Sequence, residues 1–245
     1  MRRSQRDRSG SAGIAKPAGQ AGFTLLELLV VVIAIVLLLA IFGPAADKAY
    51  EVVERHISRS YLRIIESGVE MYKNDFQDYP PSSSAGNNAL PDWYGADLLY
   101  LLMTGYGPDA GNDGTPSGTL NLDDGQNGWG FKLVRRGQVY GPYNGTEELP
   151  AWKDPSSQIT TRRMFADKWN NPVLYYRYDS TLPGYRPEHN GAGDRPVDIV
   201  AYASRGGVAG GYYRTDYLLI SKGPDTRWQT EAGASRDDIT NMEGN

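Results

Sequence analysis

Residues 22–42 read Gly-Phe-Thr-Leu-Leu-Glu-Leu-Leu-Val-Val-Val-Ile-Ala-Ile-Val-Leu-Leu-Leu-Ala-Ile-Phe, and their reading decides the fold. The stretch 28–42 is apolar without interruption. The twenty residues 23–42 form a helix of roughly 30 Å at ~1.5 Å per residue, the thickness of a bilayer's hydrocarbon core. One carboxylate, Glu27, stands five residues into this run. An ionised group in hydrocarbon is costly and persists mainly where it has a partner, so Glu27 calls for a functional account.

Three accounts compete. A cleaved secretory signal has a basic start, an apolar core of about 7 to 15 residues and a small-residue cut site. Pro44-Ala45-Ala46 offers a loose version of that site, but the run is long and the acid sits where such signals are uncharged. A plain membrane anchor accounts for the length and leaves Glu27 without a role. The third account comes from the motif: Gly22-Phe23-Thr24-Leu25-Leu26-Glu27 resembles the prepilin peptidase site of type IV pilins and type II secretion pseudopilins. That resemblance implies cleavage between Gly22 and Phe23, methylation of the new Phe23 amine, and a helix-bending proline at Pro44. It also implies that Glu27 neutralises the Phe23 amine of a neighbouring subunit when the chains leave the bilayer and stack into a homopolymeric filament.

Charge fits this orientation. Residues 1–22 hold Arg2, Arg3, Arg6, Arg8 and Lys16 against Asp7, a net +4, which retains the leader in the cytoplasm. Taking that from the formal −4 leaves −8 for the remainder, so no basic surface for nucleic acid is expected. The chain has no cysteine, which excludes disulfide stapling and thiolate chemistry. Its 245 residues, less leader and span, leave enough chain for one domain with its own core.

After Pro44 the pattern turns amphipathic. Tyr50, Val53, Ile57, Tyr61, Ile64 or Ile65, Val69, Tyr72 and Phe76 recur at spacings of three and four. One helix is expected from about Phe23 to about Asn74, bent or locally melted at Pro44, with two helices jointed at Gly43-Pro44 as the alternative. The domain plan is a leader at 1–22, a long helix at 23–78 with its span at 23–42, and a head at 79–245. Within the head, residues 104–165 form an insert and 222–245 a C-terminal loop. Tyr79-Pro80-Pro81 ends the helix, a short helix is expected at 92–103, and strands at 131–140, 173–178, 197–203 and 212–221. The fold class is α+β: a long helix whose amphipathic half is covered by a small antiparallel sheet, the pilin-like form.

Three stretches sharpen the resemblance toward G-type major pseudopilins. Met71-Tyr72-Lys73-Asn74-Asp75 with Tyr79-Pro80 is similar to the end of their long helix. Asp167-Lys168-Trp169-Asn170-Asn171-Pro172 is similar to their Asp-x-Trp-Gly-Asn-Pro turn, with Asn170 replacing glycine at a position that tolerates a left-handed backbone. Leu219-Ile220-Ser221-Lys222-Gly223-Pro224-Asp225, with Asp237-Asp238-Ile239, resembles their C-terminal calcium loop, although Thr226 stands where a glycine usually follows the first aspartate. The resemblance implies calcium held by Asp225, Asp237 and Asp238 with nearby carbonyls, a shell chemically suited to that cation. The alternative is a solvated acidic tail.

Other motifs carry less. Acidic and glycine residues at 109–114 and 121–125 lack the closing glutamate of an EF-hand, and His56 and His189 are too few for a zinc site. Arg135, Arg136, Arg162 and Arg163 read as a solvated face, and no nucleophile motif is present. The expectation is a non-enzymatic filament subunit in a bacterial inner membrane, single-pass, with its head in the periplasm. By family its partners are itself, a prepilin peptidase, an assembly platform with its ATPase, and minor pseudopilins. A type IV pilin for adhesion or DNA uptake is the nearer alternative, and a secreted or anchored enzyme the more distant one.

Overall fold

The computed structural model describes residues 22–83, 93–106, 120–121, 129–133, 138–153, 162–180, 184–190, 198–204, 211–229 and 237–242. The leader residues 1–21, Asp92, Arg135, Arg136 and the partial EF-hand stretch at 109–114 lie outside them, as does most of the one at 121–125.

Helix α1 spans Leu25–Phe76, 52 residues, within two residues of its expected ends. Its helical assignment continues through Pro44. It closes at Gln77, whose left-handed φ of 59° lets its N–H donate to the Lys73 carbonyl. The chain divides into two compact units, 1–48 and 49–245. In the first, every residue of the described span is exposed, from Phe23 at 82% to Phe42 at 63%. This helix is long and apolar enough to cross a membrane.

The second unit is built on the rest of α1. Leu62, Ile65, Val69 and Tyr72 are buried, a stripe at helical spacing. Against them lie α2 (Gly95–Thr104) and the antiparallel sheet of β6 (Leu174–Arg177), β7 (Tyr217–Ser221) and β8 (Ile239–Thr240), in the order β6-β7-β8. Alternation along β6 and β7 sends Tyr175, Tyr217 and Leu219 toward the α1 side. Leu174, Tyr176, Leu218 and Ile220 go to a second core with Trp228 and α3 (Ile199–Ala203). Both faces are therefore dry, which is why β7 is buried at all five positions. Two smaller antiparallel sheets complete the unit: β1 (Leu120–Asn121), β2 (Phe131–Leu133) and β3 (Val139–Tyr140), then β4 (Ala151–Trp152) with β5 (Met164–Phe165).

Several expectations are corrected. The strand expected at 197–203 is α3: Ile199, Tyr202 and Ala203 are buried at helical spacing, and the Tyr202 N–H donates to the Asp198 carbonyl. Tertiary burial overrides the β-propensity of Ile199 and Val200. The strand expected at 131–140 is two strands, because Phe131 pairs with Tyr140 across β2 and β3 and the chain reverses between them. The one expected at 212–221 begins only at Tyr217. The amphipathic stripe of α1 also starts later than its pattern suggested. Tyr50 and Val53 are 71% and 54% exposed, and the head reaches α1 at Arg55, whose Nη1 donates to the Asp237 carbonyl at 3.4 Å, and at Ser58, whose hydroxyl accepts from the Lys168 N–H at 3.0 Å.

Candidate functional site

The first site is the start of α1. Thr24 and Glu27 form a reciprocal cap. Glu27 Oε2 accepts from the Thr24 N–H at 2.9 Å and from Thr24 Oγ1 at 3.0 Å, while the Glu27 N–H donates back to Thr24 Oγ1 at 3.2 Å. The Leu28 N–H then makes the first helical bond, to the Thr24 carbonyl. This is the capping-box arrangement, Thr-x-x-Glu ahead of an apolar run. Thr24 therefore caps the helix start, a role the motif reading passed over although the threonine-to-glutamate spacing announces it. The acid also lies at the positive end of the helix dipole, where a negative charge is favoured.

Gly22 and Phe23 precede the cap, both exposed. A Cβ built on Gly22 meets nothing within 4 Å, and its backbone is outside the left-handed region. Nothing in the described fold requires glycine there.

The second site is the C-terminal loop. Gly223 has a φ of 68°, and a Cβ there would lie 2.4 Å from the Asp237 carbonyl oxygen, so two chain segments meet at a point only glycine fits. The Asp225 N–H donates to Asp237 Oδ2 at 3.2 Å. Asp238 turns elsewhere: its Oδ2 accepts from Tyr202 Oη at 2.8 Å and the Gln229 N–H at 3.1 Å. Its Oδ1 is buried with no hydrogen-bond partner. Burial pushes the Asp238 carboxyl up to about 6, against the pull of the Tyr202 and Gln229 hydrogen bonds, and the charges of Asp237 and Asp225 push the same way. The fold thus brings all three aspartates into one neighbourhood. Among the described residues, however, no three acidic, histidine or cysteine side chains form a group able to hold a metal ion by themselves.

Thr226 adopts φ 59°. A β-branched residue in the left-handed region is strained by roughly 1–3 kcal/mol. The backbone here takes a glycine conformation although the sequence lacks the glycine.

The loop is anchored from below by the turn at 167–171. Asp167, 2% exposed, accepts four hydrogen bonds: from the Trp169 and Asn171 N–H groups on Oδ1, and from Asn171 Nδ2 and Ser221 Oγ on Oδ2. Asn171 Nδ2 also donates to the Gly223 carbonyl at 2.8 Å. Asn170 takes the expected left-handed φ, 63°. The sequence reading treated this turn as a mark of resemblance; the structure makes it the support of the acidic loop.

No family model, curated protein or solved structure matches the chain.

Proposed function

We propose that this chain is a filament-forming structural subunit, similar to the G-type major pseudopilin of a type II secretion system. The observation that carries the reading is the stretch of α1 at 25–42, apolar on every side apart from the acid at its third residue and exposed at every one of these described positions. Such a helix must be surrounded by lipid or by copies of itself. In the proposed cycle the chain sits once across a bacterial inner membrane with its head in the periplasm. A prepilin peptidase cuts between Gly22 and Phe23, and an assembly platform stacks the subunits, with minor pseudopilins, into a fibre that drives export. Glu27 then neutralises the Phe23 amine of the next subunit. Gly22, the residue before the proposed cut, is exposed. No catalytic role is proposed for the chain.

Mass spectrometry of the native protein tests this directly. The expected N-terminus is Phe23 carrying one added methyl group; a start after Ala46, or an intact leader, overturns the reading.

Calcium belongs to the same proposal. Support comes from the partnerless buried Asp238 Oδ1, the crowding of Asp225, Asp237 and Asp238, and the strained glycine-like turn at Thr226. A divalent cation would offset that crowding, with carbonyls near Lys222 and Pro224 filling its shell. Millimolar calcium is expected to raise the melting temperature of the wild type by several degrees, as ligand binding to the folded state requires. The Asp225→Ala variant should not respond. Equal melts with and without calcium in both proteins remove the site.

One observation favours a second reading. The reciprocal cap with Thr24 already gives Glu27 a local hydrogen-bonding role, which a plain single-pass anchor would use as well.

A further inference from the structure

The chain holds three Asn-Gly pairs, at 127–128, 144–145 and 190–191, and the first lies outside the described residues. A glycine after asparagine leaves its own backbone nitrogen uncrowded, so that nitrogen can attack the asparagine side chain wherever the fold leaves both groups free. The fold treats the other two asparagines oppositely. Asn190 is fastened at both ends of its amide: Oδ1 accepts from the Ala96 N–H at 3.0 Å, and Nδ2 donates to the Tyr175 carbonyl at 2.8 Å. Asn144 is exposed, and neither its side chain nor the Gly145 N–H makes a hydrogen bond among the described residues. A Cβ built on Gly145 meets nothing within 4 Å.

The turn itself favours the attack. Residues 143–146 close a type I′ turn: Asn144 and Gly145 sit at φ 52° and 72°, and the Thr146 N–H donates to the Tyr143 carbonyl at 3.0 Å. Rotating the peptide between Asn144 and Gly145 converts type I′ into type II′, which keeps that hydrogen bond and takes ψ of residue 144 to about −120°. There the Gly145 nitrogen faces the side-chain amide carbon of Asn144. The rotation breaks no hydrogen bond of the Gly145 N–H, and open space beside Gly145 accommodates it.

We propose that Asn144 is a self-modifying residue, deamidated through a cyclic imide closed by Gly145. The Gly145 nitrogen gives up its proton and bonds to Asn144 Cγ, the side-chain nitrogen leaves as ammonia, and water then opens the ring. Opening at one carbonyl gives aspartate; opening at the other gives isoaspartate, whose backbone is one carbon longer. Neither step needs a membrane, a filament or a partner. The product falls where the chain has little slack. The Tyr143 N–H and Thr146 Oγ1 both donate to the Met103 carbonyl, at 2.9 and 3.2 Å, and Tyr143 Oη donates to Asp75 Oδ2 on α1 at 2.9 Å. An added backbone carbon between these fastenings loosens the turn that ties the end of α2 to α1.

Peptide mapping by mass spectrometry tests this on the full-length protein, incubated in mildly alkaline buffer both folded and in urea. In the folded protein residue 144 is expected to convert at least about tenfold faster than residue 190, since freeing Asn190 breaks two hydrogen bonds. In urea, where neither arrangement persists, the two should convert at similar rates. Hydroxylamine, which cleaves the imide, should cut the folded chain after residue 144. Conversion at 144 no faster than at 190 in the folded protein, or no cut there, overturns the proposal. An equal preference for 144 in urea overturns it as well, by tracing the difference to sequence instead of fold.

Discussion

Glu27→Gln is expected to leave the helix start of the isolated subunit intact and, if the chain is the proposed filament subunit, to abolish its assembly. The observed capping role of Glu27 and its proposed assembly role need different properties of the side chain. Capping needs an oxygen that accepts from the Thr24 N–H, and glutamine supplies one at this position of the capping box. Neutralising a buried amine needs a negative charge, which glutamine lacks. Breaking a buried ion pair from one side costs about 3 to 5 kcal/mol, a factor of a hundred or more at each subunit contact. A polymer compounds that factor at every interface. Thr24→Ala makes the converse change: it removes the hydroxyl of the cap, at about 1 kcal/mol, and keeps the charge. Sedimentation of filaments beside helix content by circular dichroism separates the two. The filament reading expects Thr24→Ala to assemble and Glu27→Gln to remain monomeric with native helicity. Wild-type assembly by Glu27→Gln would reduce the acid to a cap and return the chain to a plain anchor.

How much of this was legible in the sequence depended on the length over which a pattern ran. Helix α1 was readable because a wholly apolar run and then a periodic stripe continue over 52 residues, long enough to average out local exceptions. Helix α3 was not: Ile-Val-Ala-Tyr-Ala is a five-residue window rich in β-formers, and its helical state is set by burying Ile199, Tyr202 and Ala203 against β7 and Trp228. The head-facing stripe of α1 was read too broadly because Tyr50 and Val53 fit the same periodicity. Periodicity locates an apolar face without saying what covers it. At the candidate sites, residue identity was legible and connection was not. The three aspartates could be named from their loop, but the route from Asp167 through Asn171 to Gly223 joins residues 52 apart between Asn171 and Gly223, a separation no local pattern reports. Thr226 shows the opposite failure, since its side chain argues against the left-handed backbone that the fold imposes.

That route makes Asp167 a vulnerable residue of the head. Its carboxylate is almost wholly buried and is satisfied by four hydrogen bonds, with no ion pair among the described residues. Asp167→Ala removes every acceptor at once and strands two backbone N–H groups, the Asn171 amide and the Ser221 hydroxyl. Leaving buried donors unsatisfied costs about 1 to 3 kcal/mol each, and partial relaxation brings the expected total to about 3 to 5 kcal/mol. Against a typical stability of about 5 to 15 kcal/mol that is a large fraction. For a unit of this size it lowers the melting temperature by roughly 10 °C. Asp167→Asn retains an oxygen for the Trp169 and Asn171 N–H groups but turns a donor toward Asn171 Nδ2, so it should lie between alanine and wild type. Calorimetry on the 49–245 unit reads both, and an Asp167→Ala melt within a degree of wild type would mean that the network is satisfied by water instead. The proposed calcium site offers a second readout. Asn171 is held by Asp167 while it holds the Gly223 carbonyl, so the Asp167→Ala head, examined below its own melting point, should lose any calcium-induced shift the wild type shows although Asp225, Asp237 and Asp238 are all still present.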